Sequence, residues 1–240
     1  MHARRLLVTT GLVDELPAVP GLRERWGRDV LHCPYCHGWE VRDRAVGVLS
    51  TGPGGVLKAL LWRQWSADVT LFLHTGPEPT VEQEEQLAAR GIAVVTGEVA
   101  AVESAGDRLT GVRLASGRVV PRDALVVAPV FSARSGVLAS LGLTAEEVAA
   151  PDGHVVGSAV PSGPAGGTAV PGVWVAGNVT DLMAQVVTAA AAGLQAGAAI
   201  NADLLVEDVR LAVAARRAPF SPAAERELCE MVLGDRRHGI

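Results

Sequence analysis

Between Ala45 and Thr96 the residues switch repeatedly between two periodicities, and that alternation constrains the fold more than any other feature of this 240-residue chain. Ala45–Leu49 is a short apolar run of strand type, Ser50–Gly55 a glycine-rich turn, and Val56–Ala67 places Leu57, Leu60, Leu61 and Trp65 at helical spacing. Asp68–His74 reads as a second strand. Thr80–Arg90 is a polar helix opened by Thr80 with Gln83 three residues on, a capping-box pattern, and Ile92–Thr96 is a third strand. Strands alternating with helices imply a parallel sheet with crossover helices, so the fold class is α/β.

From Val99 to Val127 the pattern becomes antiparallel: Leu109–Leu114, a turn at Ser116–Gly117, Arg118–Val120, then Ala124–Val127, a piece laid on the parallel sheet. Upstream, Arg5–Thr9 predicts an apolar strand, and Leu12–Gly21, with Pro17, Pro20 and Gly21, predicts a loop. Downstream, residues 129–171 read as loop-rich, with a flexible turn at 162–167. Gly172–Ala176 is a buried strand, and a long helix follows from about Leu182 to Val206. The tail from Arg210 is helical in composition, with a break at Pro219 and Pro222.

Lys and Arg total 21 against 26 Asp and Glu, a net charge of -5 that argues against a general nucleic-acid binder. The basic residues near the C-terminus, Arg216, Arg217, Arg236 and Arg237, are interspersed with acids and read as a solvated face. The apolar run at the N-terminus is too short for a signal peptide. Met183–Ile200 is apolar but carries Gln185, Thr188 and Gln195, and its small residues favour a buried helix packed on a sheet over a membrane span. Three cysteines without an export signal point to a reducing, cytoplasmic setting, where a close pair serves catalysis or metal binding.

That pair is Cys33-Pro34-Tyr35-Cys36. The spacing lets both sulfurs lie at the start of one helical turn, and Pro34 suits the first helical position, where no backbone N–H is needed. A helix N-terminus favours thiolate over thiol, and the adjacent His37 is placed to shuttle a proton. Such a segment can cycle between dithiol and disulfide. A zinc site would need four ligands; His32, His37 and His74 are the available extras, and no second pair stands at finger or ribbon spacing. Cys-Pro-Tyr-Cys-His also satisfies the haem-attachment pattern, which belongs to exported chains. Cys229, far along the chain, reads as a lone thiol.

The turn Ser50-Thr51-Gly52-Pro53-Gly54-Gly55 sits where a dinucleotide-binding G-x-G-x-x-G would, so Gly52, Gly54 and Gly55 are candidates to approach a pyrophosphate. Ser50 replaces the first glycine and Pro53 stiffens the turn. After the second strand the chain reads His74-Thr75-Gly76-Pro77-Glu78, with no arginine pair for a ribose phosphate. The turn therefore leaves two readings open: NADP(H) binding, or a Rossmann-like domain that kept its fold and holds nicotinamide poorly or not at all.

Taken in order, LLVTTG, CPYCHGWE, STGPGG and VWVAGNV followed by AQVVTAAAAG resemble the thioredoxin-reductase-like flavoproteins, and more closely their C-P-x-C-H-G subgroup, which includes dithiol oxidases that close disulfides in small natural products. The resemblance runs to about residue 206. It implies a Rossmann-like, three-layer ββα nucleotide-binding domain inserted in an FAD-binding domain that here lacks its N-terminal GxGxxG segment. On that reading residues 1–30 are a residual FAD-domain strand and linker, 31–128 the inserted NAD(P)-binding-like domain with the cysteine pair, 129–206 the C-terminal part of the FAD domain and 207–240 a helical tail. Cys36 would face the flavin, Cys33 would exchange with substrate, and His37 would take the place of the family's acidic proton donor. Thr10 and Gly11 form the family's strand-ending turn; Gly177 and Asn178 match its second FAD motif, and Gln185 and Val186 the positions that meet the flavin ring.

The implied activity is FAD-dependent exchange of electrons between flavin and a Cys33–Cys36 dithiol or disulfide, with a small protein or small molecule as thiol partner. Electrons would come from NADPH or, in the alternative, flow from a substrate dithiol to oxygen. A different class of reading is a flavin-free fragment acting as an interaction module or as half of a split enzyme. The resemblance also allows a homodimer.

Overall fold

The computed structural model describes residues 2–218 and 221–233. In chain order the elements are β1 (Leu6–Val8), β2 (Leu12–Glu15), α1 (Leu22–Arg25), β3 (Val30–Leu31), α2 (Pro34–His37), β4 (Val46–Leu49), α3 (Gly55–Trp62), β5 (Val69–Phe72), α4 (Val81–Ala89) and β6 (Ala93–Val95). There follow β7 (Val99–Ala105), β8 (Arg108–Leu114), β9 (Val119–Pro121), β10 (Ala124–Val126), β11 (Val130–Ala133), β12 (Glu146–Ala149), β13 (Val155–Ala159), β14 (Val173–Val175), α5 (Val186–Arg217) and α6 (Pro222–Leu233). They group into two compact units. One comprises the described residues of Met1–Gly11, Ser135–Thr144 and Val160–Ile240, the other Leu12–Arg134 and Ala145–Ala159.

The second unit is built on a five-stranded parallel sheet in the order β3-β10-β4-β5-β6. Every residue of β4 and β5 is buried, as expected where both faces of a parallel sheet are covered. One face packs with α3 and α4 around Val46, Val48, Leu71, Trp62 and Leu87. The other packs under the antiparallel sheet β7-β8-β9, where Leu49, Phe72 and Leu125 meet Leu109, Val112 and Leu114. These are the three layers of the Rossmann-like α/β class the sequence implied. A four-stranded sheet, β12-β13-β11-β2, completes the unit. The capping box forms as read: the Thr80 N–H donates to Gln83 Oε1 at 2.9 Å and the Gln83 N–H to Thr80 Oγ1 at 3.2 Å.

Several expectations are overturned by long-range pairing. Leu12–Glu15, read as part of a loop, is strand β2, because Val130–Ala133 lies antiparallel to it. Ala124–Val126 belongs not to the antiparallel piece but to the parallel sheet, between β3 and β4. The stretch 129–171, expected to be loop, contributes β11, β12 and β13.

In the first unit β1 and β14 form a parallel pair, Leu6 opposite Val173 and Val8 opposite Val175. A turn at Pro164–Gly166 packs on β14, and at Gly166 (φ 80) a Cβ would lie 2.1 Å from the Val175 carbonyl oxygen, so only glycine fits. The long helix starts later and ends later than expected, and α5 runs unbroken through residue 207. Nor is it a buried helix. Ala196 is its one buried residue and Val186 is 90% exposed, since two three-residue strands offer little area to pack against. By length and composition α5 is long and apolar enough to cross a membrane. Its second half, however, carries Asp203, Glu207 and Asp208, which pair with Arg4 and Arg5 beside β1. Pro222 opens α6, with the Ser221 hydroxyl accepting from the Ala224 N–H at 3.2 Å. Pro219, Arg236 and Arg237 lie outside the described residues.

Candidate functional site

Strand β3 places the cysteine pair. Val30 and Leu31 are buried beside Leu125 and Val126 of β10, and the chain leaves the sheet through His32 into Cys33, the N-cap of α2. Pro34 takes the first helical position as expected. The helix is a single turn, so its dipole is a weaker source of thiolate stability than the motif suggested. Gly38 closes the turn with its N–H on the Pro34 carbonyl at 2.9 Å. A Cβ on Gly38 would lie 2.4 Å from that carbonyl oxygen and 2.5 Å from Trp65 Nε1, so the glycine lets the redox loop seat directly against the indole.

The two sulfurs are 2.7 Å apart, with the Cys36 thiol donating to Cys33. That bond, then burial, then the charges of Cys33 and Glu40 push the Cys36 thiol up to about 11. Within the pair Cys36 is the hydrogen-bond donor and Cys33 the acceptor. Cys36 and His37 are exposed, and so are Tyr35 and Trp39, the latter held under the Arg42 guanidinium 3.8 Å from the ring centroid.

Next to Cys33 in the chain, His32 belongs to a polar cluster whose Lys58 sequence reasoning did not single out. Lys58, on α3, approaches His32 Nδ1 at 3.2 Å and the Val127 carbonyl oxygen at 3.4 Å. His32 Nδ1 is 3.2 Å from the same carbonyl, and its ring meets Phe131 edge-on at 5.2 Å. Burial, and then the Lys58 charge, lower His32 to about 4. Burial lowers Lys58 to about 8, against the attraction of Cys33.

The glycine-rich turn forms between β4 and α3 as read, but its surroundings are filled. The Ser50 hydroxyl donates to the Gly52 carbonyl at 3.2 Å, and it lies 2.2 Å from where a Gly55 Cβ would be and 2.0 Å from that of Gly76. Gly52 is the glycine whose bare backbone would meet a pyrophosphate. Instead the imidazole of His154, from the turn between β12 and β13, stands 3.1 Å from its Cβ position. Gly54 is open, with nothing within 4 Å of a Cβ. His74, two residues after β5, accepts the Val99 N–H at 3.0 Å and offers no charge to a ribose, while Glu78 is exposed beyond it. The His154 ring thus narrows the approach to Gly52, while Gly54 stays open.

The remaining candidates gather in the other unit. Thr10 and Gly11 follow β1, and Gly177 and Asn178 follow β14, its parallel neighbour. Gly11 (φ 75) and Gly177 (φ 83) both adopt left-handed backbone, and the Asn178 side-chain oxygen lies 3.3 Å from where a Gly11 Cβ would be. Gln185 is the N-cap of α5 without a side-chain capping bond, and with Val186 it leaves the first turn of a 32-residue helix exposed. Two left-handed glycines, an amide and a helix N-terminus suit the polar edge of a flavin and its ribitol. These residues fit the FAD the motif implies. Cys229, on α6, is exposed. Among the described residues no group of three or more His, Cys, Asp or Glu side chains gathers to hold a metal.

The sequence profile of the pyridine nucleotide-disulphide oxidoreductase family matches residues 1–193. Thioredoxin reductase tcpT of Claviceps purpurea is 32% identical over 216 residues, covering 86% of this chain and 64% of its own length. The crystal structure of HlmI superposes with a TM-score of 0.78 at 47% identity, covering 90% of this chain and 65% of HlmI. That of an oxidoreductase from Agrobacterium tumefaciens does so with a TM-score of 0.74 at 35% identity, covering 84% of this chain and 65% of the other. The chain therefore spans somewhat less than two thirds of the length of these relatives.

Proposed function

Because the chain belongs to the pyridine nucleotide-disulphide oxidoreductase family, we propose that it serves as an FAD-dependent thiol–disulfide oxidoreductase that closes disulfides in a dithiol substrate. The observation that supports this direction is the His154 imidazole 3.1 Å from the Gly52 Cβ position, on the glycine a nicotinamide donor's pyrophosphate would approach.

In the oxidised state Cys33 and Cys36 share a disulfide. A substrate thiolate attacks Cys33 Sγ, the Cys33–Cys36 bond breaks, and Cys36 leaves as a thiolate that takes up a proton. The second substrate thiol then attacks the mixed disulfide, releasing the substrate disulfide and returning Cys33 as a thiolate. Two electrons have moved from substrate to the pair. Exposed His37, next to Cys36, is placed to carry the proton. Bound FAD, held by Gly11, Gly177, Asn178, Gln185 and Val186, would supply the acceptor for those electrons, with oxygen as final oxidant.

The reverse flow, from NADPH to a disulfide substrate, is supported by the name of the tcpT relative and by the position of the glycine-rich turn. Visible absorbance separates the two. With FAD added, dithiothreitol should bleach the flavin, air should restore it, and NADPH should leave it unchanged. Bleaching by NADPH alone would establish the reverse flow. Cys36→Ser should abolish the dithiol response and Cys229→Ser should leave it intact.

A further inference from the structure

On α3 the sequence pattern and the structure disagree at two adjacent positions. Leu57, which the apolar periodicity assigns to the core, is 64% exposed. Lys58 turns inward instead, one residue before buried Ala59 and one turn before buried Trp62. An ammonium carried on the packed face of a helix, beside a leucine left in solvent, costs stability unless it has a task there.

Its partners indicate the task. Within reach of Nζ are His32 Nδ1, at 3.2 Å, and the Val127 carbonyl, at 3.4 Å, and His32 is the residue that leads directly into Cys33, the N-cap of α2. When Lys58 is protonated it donates to both acceptors, which leaves His32 neutral with its proton on Nε2. Neither acceptor is an anion, so the ammonium charge is not neutralised within the cluster. We propose that Lys58 is a positioning residue for the redox pair: anchored by His32 and Val127, its ammonium stabilises Cys33 as the thiolate that exchanges with substrate. The proposal rests on Cys33 being the exchanging sulfur.

The groups facing this charge are His32, Cys33 and the Val127 carbonyl; Cys33 in turn faces Cys36, which faces Glu40. Glu40 is the acid in that set and acts on Cys36. A one-turn helix gives Cys33 little dipole support, so the proposal relies on the Lys58 ammonium. Because burial holds Lys58 near 8, its support is present at neutral pH and fades as pH rises through that value.

The test needs neither flavin nor turnover. In a Cys36→Ser/Cys229→Ser background only Cys33 remains, and its alkylation by iodoacetamide can be followed by mass spectrometry from acid to alkaline pH. Lys58→Met should move the profile to higher pH and slow alkylation at pH 7 about tenfold. Lys58→Arg, which keeps the charge, should stay near the parent. Should Lys58→Met fail to fold, Lys58→Gln supplies the neutral variant. Folded neutral variants that alkylate with the parent's profile would overturn the assignment. Because no electron acceptor takes part, this outcome is independent of whether the flavin-linked reaction runs.

Discussion

The imidazole of His154 covers the bare backbone of Gly52, 3.1 Å from where a side chain would begin. On the proposed reading, a dinucleotide pyrophosphate approaching Gly52 would have to displace this ring. His154→Ala should therefore bind NADPH at least about tenfold more tightly than the parent in a fluorescence titration, a gain of roughly 1.4 kcal/mol. Equal binding by both proteins would show that the ring obstructs nothing.

Gly38 and Gly54 offer a contrast in what a methyl group costs. At Gly38 it would strike the Pro34 carbonyl and the Trp65 indole, while at Gly54 it would meet nothing within 4 Å. Gly38→Ala is expected to lose about 2 kcal/mol in chemical denaturation and to loosen the cysteine pair. Gly54→Ala is expected to change stability by less than about 1 kcal/mol.

Arg25 and Asp29 form a buried two-pronged pair, at 2.7 and 2.5 Å, and Asp29 also accepts the Leu109 N–H at 2.8 Å. Burial alone would raise the Asp29 carboxyl, but Arg25 and the Leu109 N–H outweigh it and hold the group below its ordinary range. A depressed carboxylate stabilises the fold above its unfolded value, near 4, and that stability is lost as pH falls through the folded value. Asp29→Asn, which removes one of the two carboxylates on the Arg25 guanidinium and leaves Asp107 at 2.9 Å, should cost about 2 kcal/mol at neutral pH, measured by urea unfolding.

His32 gives a second acid window with the same sign. Its folded value, about 4, lies below the ordinary 6.5, so the unfolded chain takes up a proton first as pH falls between them. Stability should decline across that interval by about 2 kcal/mol, discounted for partial exposure. His32→Gln should flatten the decline in denaturation curves from pH 7 to 4. An unchanged slope would place the acid sensitivity elsewhere.

The elements legible in the sequence were those whose information is local. Thr80 and Gln83 satisfy each other within one turn, and β4, α3 and β5 follow one another with their periodicities intact. Illegible were elements whose partners are remote: Leu12–Glu15 becomes a strand only through Val130–Ala133. The end of α5 was missed for another reason, since Glu207–Arg217 is rich in good helix formers and nothing before Ala218 stops it. At the site, spacing disclosed the cysteines and glycines. Lys58 and His154 were invisible, the first because a lysine beside a leucine reads as the solvent side, the second because its relation to Gly52 spans a hundred residues of chain.

The placement of β10 sets an order of events during synthesis. Strand β3 is two residues long, lies at the sheet edge, and has β10 as its neighbour in the sheet, from which it is separated by more than ninety residues. The Val127 carbonyl that anchors Lys58 beside His32 follows directly after β10. A growing chain can assemble β4, α3, β5, α4 and β6 from neighbouring segments, but loop-closure entropy delays the pairing that seats His32 and Cys33. The thiols thus emerge early and acquire their tuned surroundings late. Until Val127 arrives, Lys58 and His32 lack the carbonyl they share, so the polar cluster next to the cysteines is assembled only by completion of the sheet.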